Sequence, residues 1–212
     1  MAPPFIAKEP NTNGTQCRKT CPIPETEAVV RLPIRMVPVL REACDVADRL
    51  GVTHHTAVRL EMRDSYGIGE EAAEFERWRS GWRPDPDPAT WWSDFHTWVR
   101  DATARGVVFR RARIVSEPVS PYIRYEHACT YQNLAAGELV RRLPRHKASD
   151  IALPGNDFWL FDGRVIMWNH FTGEGGSAGP ELDERAEVAK LCASAFDAVW
   201  ERATPHEEYQ IR

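Results

Sequence analysis

RRARIVSEPVSPYIRYE, residues 110–126, carries a strand, a proline-bracketed turn and the opening of a helix, and its reading decides the fold. The strand spans Val107 to Val115, because VVFRRARIV is rich in β-branched residues. Side chains alternate across a strand, so Arg111 and Arg113 share one face with Val107, Phe109 and Val115, while Arg110 shares the other with Val108, Ala112 and Ile114. At least one guanidinium therefore lies on a sheet surface, where it must meet an anion or reach past the sheet's end. Glu117 and Glu126 are the candidate partners. Ser120 as N-cap and Pro121 at the first helical position then start a helix from Tyr122 to about Ala136, stopped by Gly137.

Working outward, a second strand is expected from His55, where Thr56, Val58, Leu60 and Met62 alternate with Ala57, Arg59, Glu61 and Arg63 and one face is buried. Glu70 to Ser80 reads as a short helix closed by Gly81. The prolines at 84, 86 and 88 exclude a helix interior there and make a stiff connector. Asp87 as N-cap with Pro88 opens a helix to about Arg105, whose Trp91, Trp92, Phe95, Trp98 and Val99 form a core-facing aromatic side. Glu138 to Leu143 reads as a strand, followed by a basic loop with Arg145, His146 and Lys147. Asp162-Gly163 between the apolar runs 157–161 and 164–171 is a strong hairpin signal. A glycine-rich loop, 173–179, precedes a helix from Glu181 to about Ala203, and the tail from His206 to Arg212 is expected at the surface. The fold class is α/β: a mixed sheet covered by helices, with a C-terminal hairpin and a long terminal helix.

The chain's 42% hydrophobic and 27% charged residues are those of a globular protein, and a net charge of −4 gives no general attraction to nucleic acid or anionic membranes. No apolar run reaches the roughly 20 residues that cross a bilayer, and a cytoplasmic location is expected. Residues 1–54 read as an arm with one amphipathic helix, Val39 to Leu50, and residues 55–212 as a single domain. Five cysteines, spread widely, do not make a disulfide framework. Cys17 and Cys21 could hold zinc only with two further ligands, such as Cys44 with His54 or His55, and no metal or cofactor is expected.

Chemistry is less legible. GGSAG, residues 175–179, fits the G-x-S-x-G pattern, with Asp183 or Asp197 and His206 to complete a triad, but its glycines and Pro180 describe a slack loop, not a strained nucleophile elbow. No phosphate-cradling or dinucleotide motif occurs. His146 and Lys147 are adjacent, and Asp150 follows too soon for the phospholipase D signature. The charged strand ends instead suggest a polar cleft built from Arg113, Glu117, Tyr122, Arg124, Glu126, Asp157, Trp159 and Asp162. If the SEPVSP turn is tight, its N–H groups and the helix N-terminus point toward Arg113 and make a small anion site.

SEPVSPYIRYE, then NLAAGE at 133–138, then LPGNDFWLFDGR at 153–164, in that order, resemble an uncharacterised actinobacterial family, a domain of unknown function. The resemblance carries over Ser116, Glu117, Pro118, Tyr122, Arg124, Glu126, Asn133, Asp157, Phe158, Trp159 and Asp162, and implies a regulatory role beside helix-turn-helix regulators. The outline is also similar to non-catalytic phospholipase D-like modules. The expected function is a non-enzymatic module binding a small anionic ligand or a protein partner. The alternative is an enzyme on nucleotides or phosphoesters, with Glu126 or Asp157 as base and Arg113 steadying negative charge. A third reading, DNA binding, requires Arg110, Arg141, Arg142, Arg145 and Lys147 to share one exposed face.

Overall fold

A computed structural model of the chain describes residue 46 and residues 48–67 and 69–212. Within it β1 (Thr56–Glu61), β2 (Val108–Val115), β3 (Leu139–Pro144), β4 (Asp157–Phe161), β5 (Val165–Phe171), β6 (Ser177–Asp183) and β7 (Thr204–Pro205) form one sheet. Their order is β6-β5-β4-β1-β2-β3-β7. β1, β2 and β3 are parallel. Parallel neighbours need crossovers, and helices provide them: α1 (Gly69–Arg79) and α2 (Asp94–Ala104) join β1 to β2, and α3 (Pro121–Cys129) and α4 (Tyr131–Ala135) join β2 to β3. β4 pairs antiparallel with β1 and continues through β5 to β6 as a meander. The mixed, helix-covered α/β sheet is thus the one expected.

The two faces of the sheet differ. On the back, Val58, Leu60, Ala112, Ile114, Phe158, Leu160 and Ile166 pack against Ala189, Cys192, Phe196 and Val199 of α5 (Ala186–Arg202), a continuous apolar layer. On the front, the apolar layer covers only one end, where Ala57, Phe109, Trp159, Phe161 and Met167 meet Val99 and Ala102 of α2. Val46 and Leu50 join this layer, and residues 48–52 are helical; the rest of the expected arm helix, with Cys17, Cys21 and Cys44, lies outside the described residues. Beyond Ala57 and Phe109 the front face turns from apolar to charged.

Several boundaries differ from expectation. Asp87 does cap Pro88, accepting from the Ala89 N–H at 3.0 Å, but it starts only a short 3-10 turn, Pro88–Thr90. α2 begins later, after Ser93, whose N–H donates to His96 Nδ1 at 3.1 Å. Trp91 and Trp92 lie between the two. The helix expected to run to Ala136 breaks at Thr130, whose hydroxyl donates to the Glu126 carbonyl at 2.7 Å. The glycine-rich segment is no slack loop in its second half. Ser177–Asp183 forms the sheet-edge strand β6, and the last long helix accordingly starts at Ala186 instead of Glu181. Ser177 Oγ accepts from the Gly179 N–H at 3.3 Å on that edge, so no nucleophile elbow forms. β7 immediately precedes the tail, and within the tail Tyr209 is buried instead of exposed. The Asp162-Gly163 hairpin is as expected, with φ of 49° and 65° at its two turn residues.

Candidate functional site

The charged end of the front face is built by strand register. Arg59 pairs with Arg111 and Glu61 with Arg113 between β1 and β2, and Arg113 with Arg142 between β2 and β3. All five side chains project to the front, because alternate residues share a face. Glu61 is the hub: it lies 3.0 Å from Arg59 Nε, 3.4 Å from Arg111 Nη1 and 2.6 Å from Arg113 Nε. Burial alone raises a carboxyl pKa, but Arg113, Arg59, Arg111 and Arg142 hold Glu61 down at about 2. Arg111 makes a two-pronged pair with Glu138, at 2.6 and 3.1 Å, and Arg113 pairs with Glu126 as well. Three guanidiniums are therefore matched by three carboxylates.

Arg142 is different. It is fully buried, donates to Thr130 Oγ1 at 2.7 Å and to His206 Nδ1 at 2.6 Å, and has no carboxylate in ion-pair reach among the described residues. Burial and the neighbouring Arg113 pull its pKa down to about 9. Burial and Arg142 push His206 to about 4, leaving its Nδ1 a bare acceptor.

Above this floor α1 and α3 leave a cavity of about 290 Å³. Arg59, Glu61, Arg111 and Arg113 form its base; Glu71 and Glu74 of α1 and Tyr122, Tyr125 and Glu126 of α3 form its walls. The Tyr122 hydroxyl donates to Glu71 at 2.5 Å and that of Tyr125 to Glu74 at 2.9 Å. Burial, with repulsion from Glu126, raises the Glu71 pKa to about 7.

Of the residues expected in a common cleft, Arg113, Tyr122 and Glu126 line this cavity. Asp157 stands behind it, accepting from Tyr66 Oη at 2.5 Å and the Met62 N–H at 2.9 Å, with its pKa raised to about 6 by burial. The other four lie elsewhere. Arg124 is exposed, because it sits about 200° around the helix from both Tyr122 and Glu126. Trp159 is 1% exposed in the front apolar layer, between Phe109 and Phe161. Asp162 caps the start of β1, accepting from the N–H groups of His54, His55 and Thr56. Glu117 accepts from Tyr209 Oη at 2.9 Å.

The anion site expected at the SEPVSP turn is filled by the chain itself. Asp64 accepts from the Ser116 N–H at 2.7 Å and from its hydroxyl at 2.5 Å, while Ser120 Oγ caps α3 at the Ile123 N–H. Arg145, not Arg113, completes that cluster, 3.1 Å from Asp64. Nor do the five basic residues required for DNA share a face. Arg110 and Arg141 lie over Trp200 of α5 on the back, Arg142 is buried on the front, and Lys147 is exposed on the 3-10 turn Arg145–Ala148. Among the described residues no three His, Cys, Asp or Glu side chains are grouped to hold a metal ion, and no helix is long and apolar enough to cross a membrane.

Arg59, Glu61, Glu138 and Glu71 were not singled out by sequence, and Arg111, read on one face with Arg113, was not assigned to the cleft. The signal for the first two was their period of two in β1, which matches that of Arg111 and Arg113 in β2.

Sheet, crossover helices and walled polar cavity define a mixed α/β domain with a charged pocket on one face of a partly parallel sheet. The chain belongs to the DUF6879 family, a domain of unknown function, whose pattern matches residues 45–211. No curated protein matches it. Two solved structures are similar in outline. Nuc from Salmonella typhimurium, a phospholipase D family member, has a TM-score of 0.44 at 10% identity over 77% of this chain and 89% of its own. TrmBL2, an archaeal chromatin protein described as showing a novel mode of DNA binding, has a TM-score of 0.42 at 11% identity over 77% of this chain and 50% of its own.

Proposed function

We propose that this domain is a non-enzymatic regulatory binding module whose cavity between the sheet and helices α1 and α3 receives a small polar molecule. The carrying observation is that the buried charges of the floor pair with one another while a space of about 290 Å³ stays open above them. A water's share of liquid volume is about 30 Å³, so the space suits a ligand of roughly ten non-hydrogen atoms. Polar groups converging on a concave pocket are the usual mark of a ligand site.

The anionic ligand expected from sequence draws less support. Arg111 and Arg113 already hold Glu138, Glu61 and Glu126, and an incoming anion must strip them away and leave buried carboxylates unpaired, a cost of about 3–5 kcal/mol. Catalysis on nucleotides or phosphoesters meets the same objection, since Arg113 is committed. Partnership with a helix-turn-helix regulator rests on the family resemblance alone.

The test is to purify the full chain from its native cell, denature it and identify released small molecules by mass spectrometry, beside a Gln132→Trp variant that fills the cavity. A compound carried by the wild type and missing from the variant is the expected result. Equal small-molecule content in both rejects the cavity as the site.

A further inference from the structure

We propose that the ligand of this cavity is a small organic ammonium ion, held by the carboxylates of Glu71 and Glu74 beside the rings of Tyr122 and Tyr125. The inference rests on the cavity being a ligand site and adds the ligand's charge.

Three independent features converge. The guanidiniums of Arg111 and Arg113 are matched by carboxylates, so the positive side of the cavity is spoken for. On the opposite wall Glu71 and Glu74 are held by phenol hydroxyls alone and, among the described residues, neither is ion-paired. A phenol donates one hydrogen bond to a carboxylate and leaves the other lone pairs free for a further donor. Finally, the wall is aromatic. Phe75 lies 5.5 Å from Tyr122 and 5.6 Å from Tyr125, with Tyr66 6.1 Å from Tyr122. Of these rings Tyr66, Tyr122 and Tyr125 line the cavity, and aromatic rings beside carboxylates favour an alkylammonium over an anion.

The arrangement also couples binding to protons. Glu71 is faced by Tyr122 and Glu126 from α3, Arg113 from β2 and Arg59 from β1, with Glu74 beside it on α1. Tyr66, His96, Tyr125, Cys129 and the ion-paired Glu61 and Arg111 complete the titratable lining; burial holds the phenols and the thiol neutral and lowers the His96 pKa. With no ligand present, burial and the Glu126 carboxylate outweigh the pull of Arg113 and Arg59, and Glu71 keeps a proton below about pH 7. An ammonium ion replaces that proton, which leaves for solvent. Affinity therefore rises with pH up to about 7 and then levels, changing about tenfold per unit below that point.

The experiment titrates the full chain calorimetrically with n-butylammonium and benzylammonium, and with butyrate and phosphate as opposite-charge probes. Saturable ammonium binding is expected, with proton release at about pH 6 and roughly fivefold weaker affinity there than at about pH 7. Glu71→Gln should weaken it at least about tenfold, the loss of one charge-assisted contact, while Glu76→Gln, on the exposed side of the same helix, leaves it unchanged. Butyrate or phosphate binding that is lost in Gln132→Trp overturns the ammonium assignment but keeps the cavity as a site. Absence of saturable ammonium binding overturns the assignment, and combined with an empty mass-spectrometric comparison it removes the binding reading as well.

Discussion

The back and front of the sheet are made from the same strands yet stabilised by different means. Leu60 and Glu61 are neighbours in β1, 0% and 3% exposed, and one faces the apolar layer under α5 while the other holds three guanidiniums. The back can tolerate other apolar side chains of similar volume, since dispersion and burial are not directional. The front depends on matched partners, because a buried charge that loses its counterpart costs as much as or more than a cavity in the apolar layer. The cavity proposed as a binding site lies on the front.

The largest expected effect is at the hub. Glu61→Gln should cost about 3–5 kcal/mol in chemical denaturation, because Arg59, Arg111 and Arg113 lose their shared carboxylate. Leu60→Ala on the other face should cost about 2–5 kcal/mol. Paired replacement separates the two. Arg111→Met alone should cost about 3 kcal/mol, whereas Arg111→Met with Glu138→Leu should lie near wild type, the coupling appearing in a double-mutant cycle. Additive losses would break the comparison.

A smaller effect of opposite sign is expected at Glu71. Its carboxyl titrates at the ordinary 4.5 in the unfolded chain and at about 7 in the folded one, so the folded state keeps the extra proton between those values. Stability is full below about pH 4.5 and falls as pH rises through about 7, by up to about 3 kcal/mol. Asp157, raised from 3.8 to about 6, acts in the same direction, while Glu61, lowered to about 2, matters only at more acid pH. Glu71→Gln should flatten most of this slope and raise the melting temperature at about pH 8, a stability gain set against loss of ligand. A wild-type profile already flat from pH 5 to about 8 contradicts the raised Glu71 pKa. The smallest effect belongs to exposed Arg124, where replacement by Ala should stay within about 0.5 kcal/mol and leave ligand binding intact.

The sheet was legible where local chemistry dictates geometry. Asp162-Gly163 demanded positive φ and made its hairpin, and the β-branched run before Ser116 made β2. What was not legible depended on neighbours distant in sequence. Arg59 and Glu61 alternate with apolar residues as on a solvent-facing strand, and only the helices α1 and α3 above that face, with the arginines of β2 beside it, turn it inward. Thr130 looks harmless in a helix until Arg142 calls on its hydroxyl. β6 hides behind glycine and proline because an edge strand needs few ladder bonds. For the site, Tyr122 and Glu126 are one helical turn apart and Arg124 between them points away, a rotation that sets Arg124 apart; the carboxylates of α1 carried no such signal.

The strand order has a kinetic consequence. Ala57 of β1 pairs with Phe161 of β4, and its other neighbour, β2, lies some fifty residues downstream, so the middle of the sheet is closed by segments far apart along the chain. Loop closure over such separations must precede the contacts that reward it, which makes folding slow for a chain of this length. Until the meander arrives, one long edge of β1 stands bare, with Glu61 at its end awaiting partners, and that interval is when a newly made chain is most exposed to mispairing.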